Sequence, residues 1–364
     1  MASTLKVDTI TTPDGTGDIT FSRPIVGNLT AQKNIIINGD FDIWQRGTSF
    51  AAAANGTRIA DRWRYLKSGA MVHTISRDTD VPTVAESGHL SNYSLKVDCT
   101  TIDSSIAAGD YSYIEQRVEG YNFKYLAQKA MKLSFWHKHT KTGTYCVGYL
   151  NSAGDRSYVT EYTQSVTDTW EKAEMDITAS PSGGTWDYTN GIGLKVYFSI
   201  ATGSTFHGTA DTWESAEDYG SSNQVNACDN AANNFMLSQV QLEAGSVATD
   251  FEVKNHADEF ARCQRYYHVQ GSSLTGFVQN STSIDVGATY PVEMRTTPTI
   301  TLEDTTPVFI MPGSVETGSS STITASNIRS DGARIRINGF TSMTPGEGCV
   351  NQHTDTVLSF AAEL

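Results

Sequence analysis

The run IGLKVYFSI, residues 192–200, alternates without a break, so that Ile192, Leu194, Val196, Phe198 and Ile200 share one face. A helix would scatter those five residues around its axis, whereas a half-buried strand gathers them. The same period of two recurs in YSLKVD (93–98), YSYIEQRV (111–118), MKLSFWHKH (131–139) and TYCVGYL (144–150). It returns in NFMLSQVQLEAG, where Met236, Val240 and Leu242 are expected on one side. Short strands separated by polar, glycine-rich turns predict an antiparallel β-sandwich or jelly roll spanning residues 33–252.

At 364 residues the chain is longer than one core usually organises, so further units are expected. Residues 1–32 read as an N-terminal β arm: Leu5, Val7, Ile10, Ile19 and Phe21 flank a hairpin turn at Pro13-Asp14-Gly15. Two strands cannot enclose a core, so this arm needs a partner. Residues 253–269 read as a connecting helix. Asn255 caps it, Asp258 and Glu259 lie in its first turn, and Arg262 and Arg265 lie towards its end. Phe260, Cys263 and Tyr267 form its apolar stripe, to be buried between domains or at a trimer axis. Residues 270–364 return to alternation in SIDVGATYPVEMR, TPTITLED, STITASNIR and ARIRINGF, predicting a small C-terminal β domain. The fold class is mainly β.

Charge and composition exclude several functions. A formal net charge of −14, with no basic cluster, argues against nucleic-acid binding. No apolar run approaches membrane-spanning length, and MASTLKVDTI lacks the basic flank and apolar centre of a leader. The five cysteines show no CxxC spacing and are expected to be reduced. Phosphate-binding loops, GxSxG and HExxH are all missing, so no catalytic residue is assigned.

Three groups of residues carry candidate chemistry. In NIIINGDFDIWQRGTSF (34–50), Asp40 and Asp42 would point the same way on an extended strand. Beside Arg46 both would stay ionised, which suits backbone hydrogen bonds or a structural cation better than acid–base work. In WHKH, His137 and His139 share a strand face, a spacing zinc sites use. Without a third ligand, and with the polar turn TKTG following, they are expected at an exposed strand end. GGTWDY and the polar stretch 203–224 bring Trp186, Tyr188, Trp213 and Tyr219, rings on which sugars could dock beside acidic side chains. The bland alternative is that the same rings fold back over the sandwich.

Several of these stretches resemble tail-fibre and related appendage proteins of tailed bacteriophages. NIIINGDFDIWQRGTSF followed by ADRW (60–63) is similar to the opening of their carbohydrate-binding-module-like jelly roll, and VQLEAGSVATDFEVKNHADEFARCQRYY (240–267) to its closing strand and following helix. YPVEMRTTPTITL (290–302) resembles the start of their C-terminal domain, and STLKVDTITTPDGTGDITF their virion-attachment segments. The resemblance implies a non-catalytic homotrimer, assembled in the bacterial cytoplasm and located in the virion. It would be held to tail or capsid proteins by its arm and would contact a host surface glycan. A head fibre or capsid decoration protein, and a polysaccharide hydrolase, are the rival readings. The resemblance also implies a structural calcium shared by an acid after NGxF and one on the last strand. Asp42 matches the first, but Ser238 and Gln239 stand where the second would be. No other cofactor is expected.

Overall fold

The computed structural model describes residues 33–271, 274–352 and 357–364. The arm residues Leu5, Val7, Ile10, Ile19 and Phe21 lie outside the described residues. Residues 34–364 form one compact unit.

Twelve strands build the first part: β1 (Ser49–Phe50), β2 (Trp63–Ser68), β3 (Val72–Asp78), β4 (Ser94–Thr101), β5 (Tyr111–Glu119), β6 (Met131–His139), β7 (Gly143–Leu150), β8 (Ser157–Gln164), β9 (Glu171–Ile177), β10 (Ile192–Thr202), β11 (Trp213–Glu214) and β12 (Asn234–Ala244). They form two six-stranded antiparallel sheets, ordered β1-β3-β4-β12-β6-β9 and β11-β8-β7-β10-β5-β2. The sheets share one core. Leu194, Val196, Phe198 and Ile200 of β10 point into it, and Phe198 meets Phe135 of β6 edge-on across the sandwich at 5.1 Å. The residues that alternation placed together on β10 do share a face, the one turned to this core, apart from Ile192 at its start.

β12 departs from that rule. A bulge sits between Ser238 and Gln241 where β12 pairs with β6, and Gln239 takes a left-handed φ of 51°. One extra residue on a pleated strand exchanges its two faces. Phe235 and Leu237 face the core before the bulge, and Val240 and Leu242 face it afterwards. Met236 is turned to the opposite side, against Trp136 and Trp170, and not onto the side of Val240 and Leu242.

The helix is shorter than its sequence pattern. Helix α3 (His256–Gln264) follows the two single-turn helices α1 (Val84–Ser87) and α2 (Gly120–Phe123). Asn255 caps α3, its Oδ1 accepting the Ala257 amide at 2.9 Å. The chain then turns, and Tyr267 opens β13 (Tyr267–Gln270), because its backbone pairs with β22 (Leu358–Ala361). The buried stripe is consequently Cys263 and Tyr266 with Phe260, packed on Ile37, Ile43 and Leu364 of the same chain. Its cover is intramolecular, and a trimer axis is not required to bury it.

Between β13 and β22 run β14 (Thr275–Asn280), β15 (Ser283–Thr289), β16 (Thr299–Leu302), β17 (Val308–Met311), β18 (Ser314–Thr317), β19 (Thr322–Ser326), β20 (Gly332–Asn338) and β21 (Gly348–Asn351). They form a three-stranded sheet, β13-β22-β16, and a seven-stranded sheet, β18-β17-β21-β14-β15-β20-β19. Their own core includes Ile284, Val286, Phe309, Ile335, Ile337 and Phe360.

The C-terminal segment returns to the sandwich. Glu363, its side chain 6% exposed, meets Arg46 at 3.0 Å and Arg58 at 3.2 Å, and also pairs with Arg62. Arg46 and Arg62 lie over the rings of Tyr267 and Tyr266, at 3.4 and 3.5 Å from their centroids. Arg46 is thus committed to Glu363 and not to the Asp40–Asp42 pair.

Candidate functional site

Trp186 and Trp213, remote in sequence, meet at one edge of the second sheet. Trp213 is placed by β11, where it pairs with Tyr158 of β8. Trp186 lies in the loop between β9 and β10, which is tied to α2 by bonds from the Gly120 amide to Gly191 O (2.9 Å) and the Tyr121 amide to Thr189 O (2.7 Å). Trp186 stacks on Phe123 at 5.4 Å and meets Trp213 edge-on at 5.8 Å. Tyr188 stacks on Phe123 at 6.3 Å. Both indole N–H groups are engaged, Trp186 to Gly183 O (3.0 Å) and Trp213 to Thr178 O (3.1 Å). The rings are half-buried, so what remains to a ligand is apolar ring surface rather than a donor.

Tyr219 is separate from this group. It is buried on the outer face of the second sheet, stacked on Phe206 at 4.5 Å and packed against Tyr111, Tyr113 and Tyr197. Its hydroxyl donates to Glu217 at 2.7 Å. The fourth ring of the expected set is therefore cover for the sheet, the bland outcome for a large aromatic.

Beside the tryptophans a groove of about 420 Å³ runs over β8 and β9. Tyr158, which touches Trp213 at 5.1 Å, lines it together with Thr160, Met175 and Thr178. Four carboxylates complete it: Glu161, Glu174, Asp176 and Asp211. Burial, then the charges of Glu161 and Asp176, push the Asp211 carboxyl above its ordinary value. Lys132 donates to Asp176 at 3.0 Å, Lys172 meets Glu174 at 2.8 Å, and the Asn223 amide donates to Glu161 at 3.0 Å. Such a surface offers hydroxyl acceptors next to an apolar ring. General-acid catalysis would need a carboxyl kept protonated by deep burial, and Asp211 is exposed. Sequence reading missed these carboxylates, although the outward positions of EKAEMDI and the acid two residues before Trp213 were available as signals.

Asp40 and Asp42 line a second cavity, of about 250 Å³, between the 34–43 segment, His89–Asn92 and residues 251–259. They are not on a regular strand: Asn38 and Phe41 have φ of 58° and 55°, and the Asn38 side-chain amide donates to Ile43 O (2.9 Å) and Asp61 O (3.0 Å). Asp40 accepts from His89 Nε2 (2.8 Å) and Ser91 Oγ (2.6 Å). Asp42 receives the Asn92 amide at 3.3 Å, and burial, then Asp40, push its carboxyl up.

His137 and His139 do share a face, but it is the inner one, not an exposed strand end. They are 1% and 0% exposed. His137 Nδ1 bonds Gln164 Oε1 at 2.8 Å, His139 Nε2 bonds the Tyr162 hydroxyl at 3.0 Å, and His139 stacks on Phe235 at 4.1 Å. Burial drives His137 down to about 4 and His139 well below the usual imidazole value, so both serve as neutral core groups. Among the described residues no group of three or more histidine, cysteine or acidic side chains is placed to hold a metal.

No family model matches the chain, and no curated protein matches its sequence. Among solved structures, it is similar to TmCBM61 in complex with β-1,4-galactotriose, at 12% identity and a TM-score of 0.30, over 59% of this chain and 100% of that one. It is similar to the family 11 carbohydrate-binding module of a cellulosomal cellulase of Clostridium thermocellum, at 13% identity and a TM-score of 0.29, over 54% of this chain and 99% of that one. It is also similar to the CBM22-1–GH10 modules of a xylanase from Clostridium thermocellum complexed with xylohexaose, at 13% identity and a TM-score of 0.27, over 57% of this chain and 30% of that one. The likenesses are slight.

Proposed function

We propose that this chain is a virion appendage of a tailed bacteriophage, a tail fibre that holds a host surface glycan without breaking a bond in it. The observation that supports glycan contact is the meeting of Trp186 and Trp213, at 5.8 Å, beside a groove lined by four carboxylates. Sugar C–H faces pack on the rings, and carboxylates accept from sugar hydroxyls. One such site is weak, so the working affinity comes from linked copies in a homotrimer anchored by the N-terminal arm. The arm is read from its alternating residues, and its attachment to the virion and the trimer follow from the sequence resemblance.

Trp186→Ala and Trp213→Ala are each expected to weaken adsorption to host cells about tenfold, the loss of one good anchor residue. Adsorption assays on folded protein check this, and unchanged binding in both variants rejects the site. Incubation with host capsule should release no oligosaccharide. Release would replace this reading with a hydrolase.

A further inference from the structure

The resemblance to jelly-roll appendages implies a calcium joining the NGxF segment to the last strand. Calcium takes 6–8 oxygen ligands. Four carboxylates line this notch, Asp40, Asp42, Glu252 and Glu259, and donors of the chain already engage them: Glu252 accepts from the Asn34 backbone amide and from Lys254 Nζ, both at 2.8 Å, and Glu259 from Arg262 at 2.8 Å. Both Asp40 oxygens are already taken, Oδ1 by the Ser91 hydroxyl at 2.6 Å and Oδ2 by His89 Nε2 at 2.8 Å. The positions expected to bring the second acid hold Ser238, which offers only a neutral buried hydroxyl, and Gln239, 3% exposed, whose side-chain amide donates to Ser91 Oγ at 2.9 Å and Ser87 Oγ at 3.0 Å. Asp42 faces the Asn92 amide. The residues present do not fit calcium.

The join itself is made in another way. The left-handed φ of Gln239 turns the bulge towards the NGD turn, where the Val240 amide donates to Gly39 O at 2.8 Å. A Cβ on Gly39 would stand 2.2 Å from Val240 O, so the approach requires glycine. Asn34 completes the seam: its side-chain Nδ2 donates to Val240 O at 3.0 Å, and its Oδ1 accepts from the Leu242 backbone amide at 3.1 Å and the Ile36 backbone amide at 3.0 Å.

We infer that the relay Gln239–Ser91–Asp40–His89, with the Asn34 seam, occupies the structural role of a cation, and that this sandwich folds independently of calcium. Thermal unfolding of the whole chain in 1 mM CaCl₂ and in 1 mM EDTA tests it. The two melting temperatures should agree within about 1 °C, because a cation bound to the folded state alone must raise the melting temperature. Gln239→Ala should lower it by several degrees equally in both buffers. Gln239→Asp, which supplies the missing acid, should melt lower in EDTA than in calcium. A wild-type protein that melts more than about 1 °C higher in calcium, or a Gln239→Ala variant restored by calcium, would overturn the inference.

Discussion

Replacing Glu363 with alanine should lower the unfolding free energy by about 3–5 kcal/mol, the usual cost of removing one partner from a buried ion pair. Burial pushes the Glu363 carboxyl up, but Arg62, Arg58 and Arg46 outweigh it and hold the group below its ordinary value. The Arg62 side chain is 2% exposed. Burial and its guanidinium neighbours already push Arg58 down to about 10 against the pull of Glu363. Without the carboxylate, three guanidiniums would face one another with poor access to water. Glu363→Gln keeps an acceptor oxygen and should cost less. Urea denaturation measures both, and a loss under about 1 kcal/mol for the alanine variant would mean that the arginines relax into solvent.

Acid should begin to destabilise the protein above the range where carboxylates titrate. Burial, then Lys67, takes His73 down to about 4, burial takes His137 to about 4, and His139 lies lower still. These folded values lie below the unfolded imidazole value, so falling pH protonates the unfolded chain first. The stability held by the neutral histidines is complete above about pH 6.5 and is lost as pH falls towards 4. His73 and His137 each contribute about 3 kcal/mol to that loss by pH 4. Asp61 works in the opposite sense. Burial raises it to about 6, and its protonation returns about 2 kcal/mol over the same interval. The net loss is about 4 kcal/mol, before His139 is included. Denaturation midpoints measured from pH 7.5 to 4 should fall steadily below 6.5, and the fall should be shallower in His137→Gln. A flat profile would contradict the neutral-core assignment.

The sandwich was legible where alternation ran unbroken, as in β6 and β10, because burial on one face is all that such a pattern encodes. The start of α3 was legible because capping is local, and Asn255 carries it. Its end was not, since only pairing with β22, nearly a hundred residues on, draws Tyr267 out of the helix. The inward turn of His137 and His139 escaped for a related reason: period two says that they share a face, not which one. Of the ring set, Trp186 and Trp213 were brought together and Tyr219 was taken inside. The groove carboxylates went unread because β8, β9 and the approach to β11 become neighbours only in the folded sheets.

The bulge at Gln239 makes β12 a spliced strand whose two halves obey opposite parity. Shortening it by one residue would leave a tidier pattern on paper, yet force either Phe235 and Leu237 or Val240 and Leu242 out of the shared core and onto the opposite face of the sheet. A designer smoothing this sequence towards perfect alternation would therefore damage it, since the irregular residue keeps both halves of the strand facing inward.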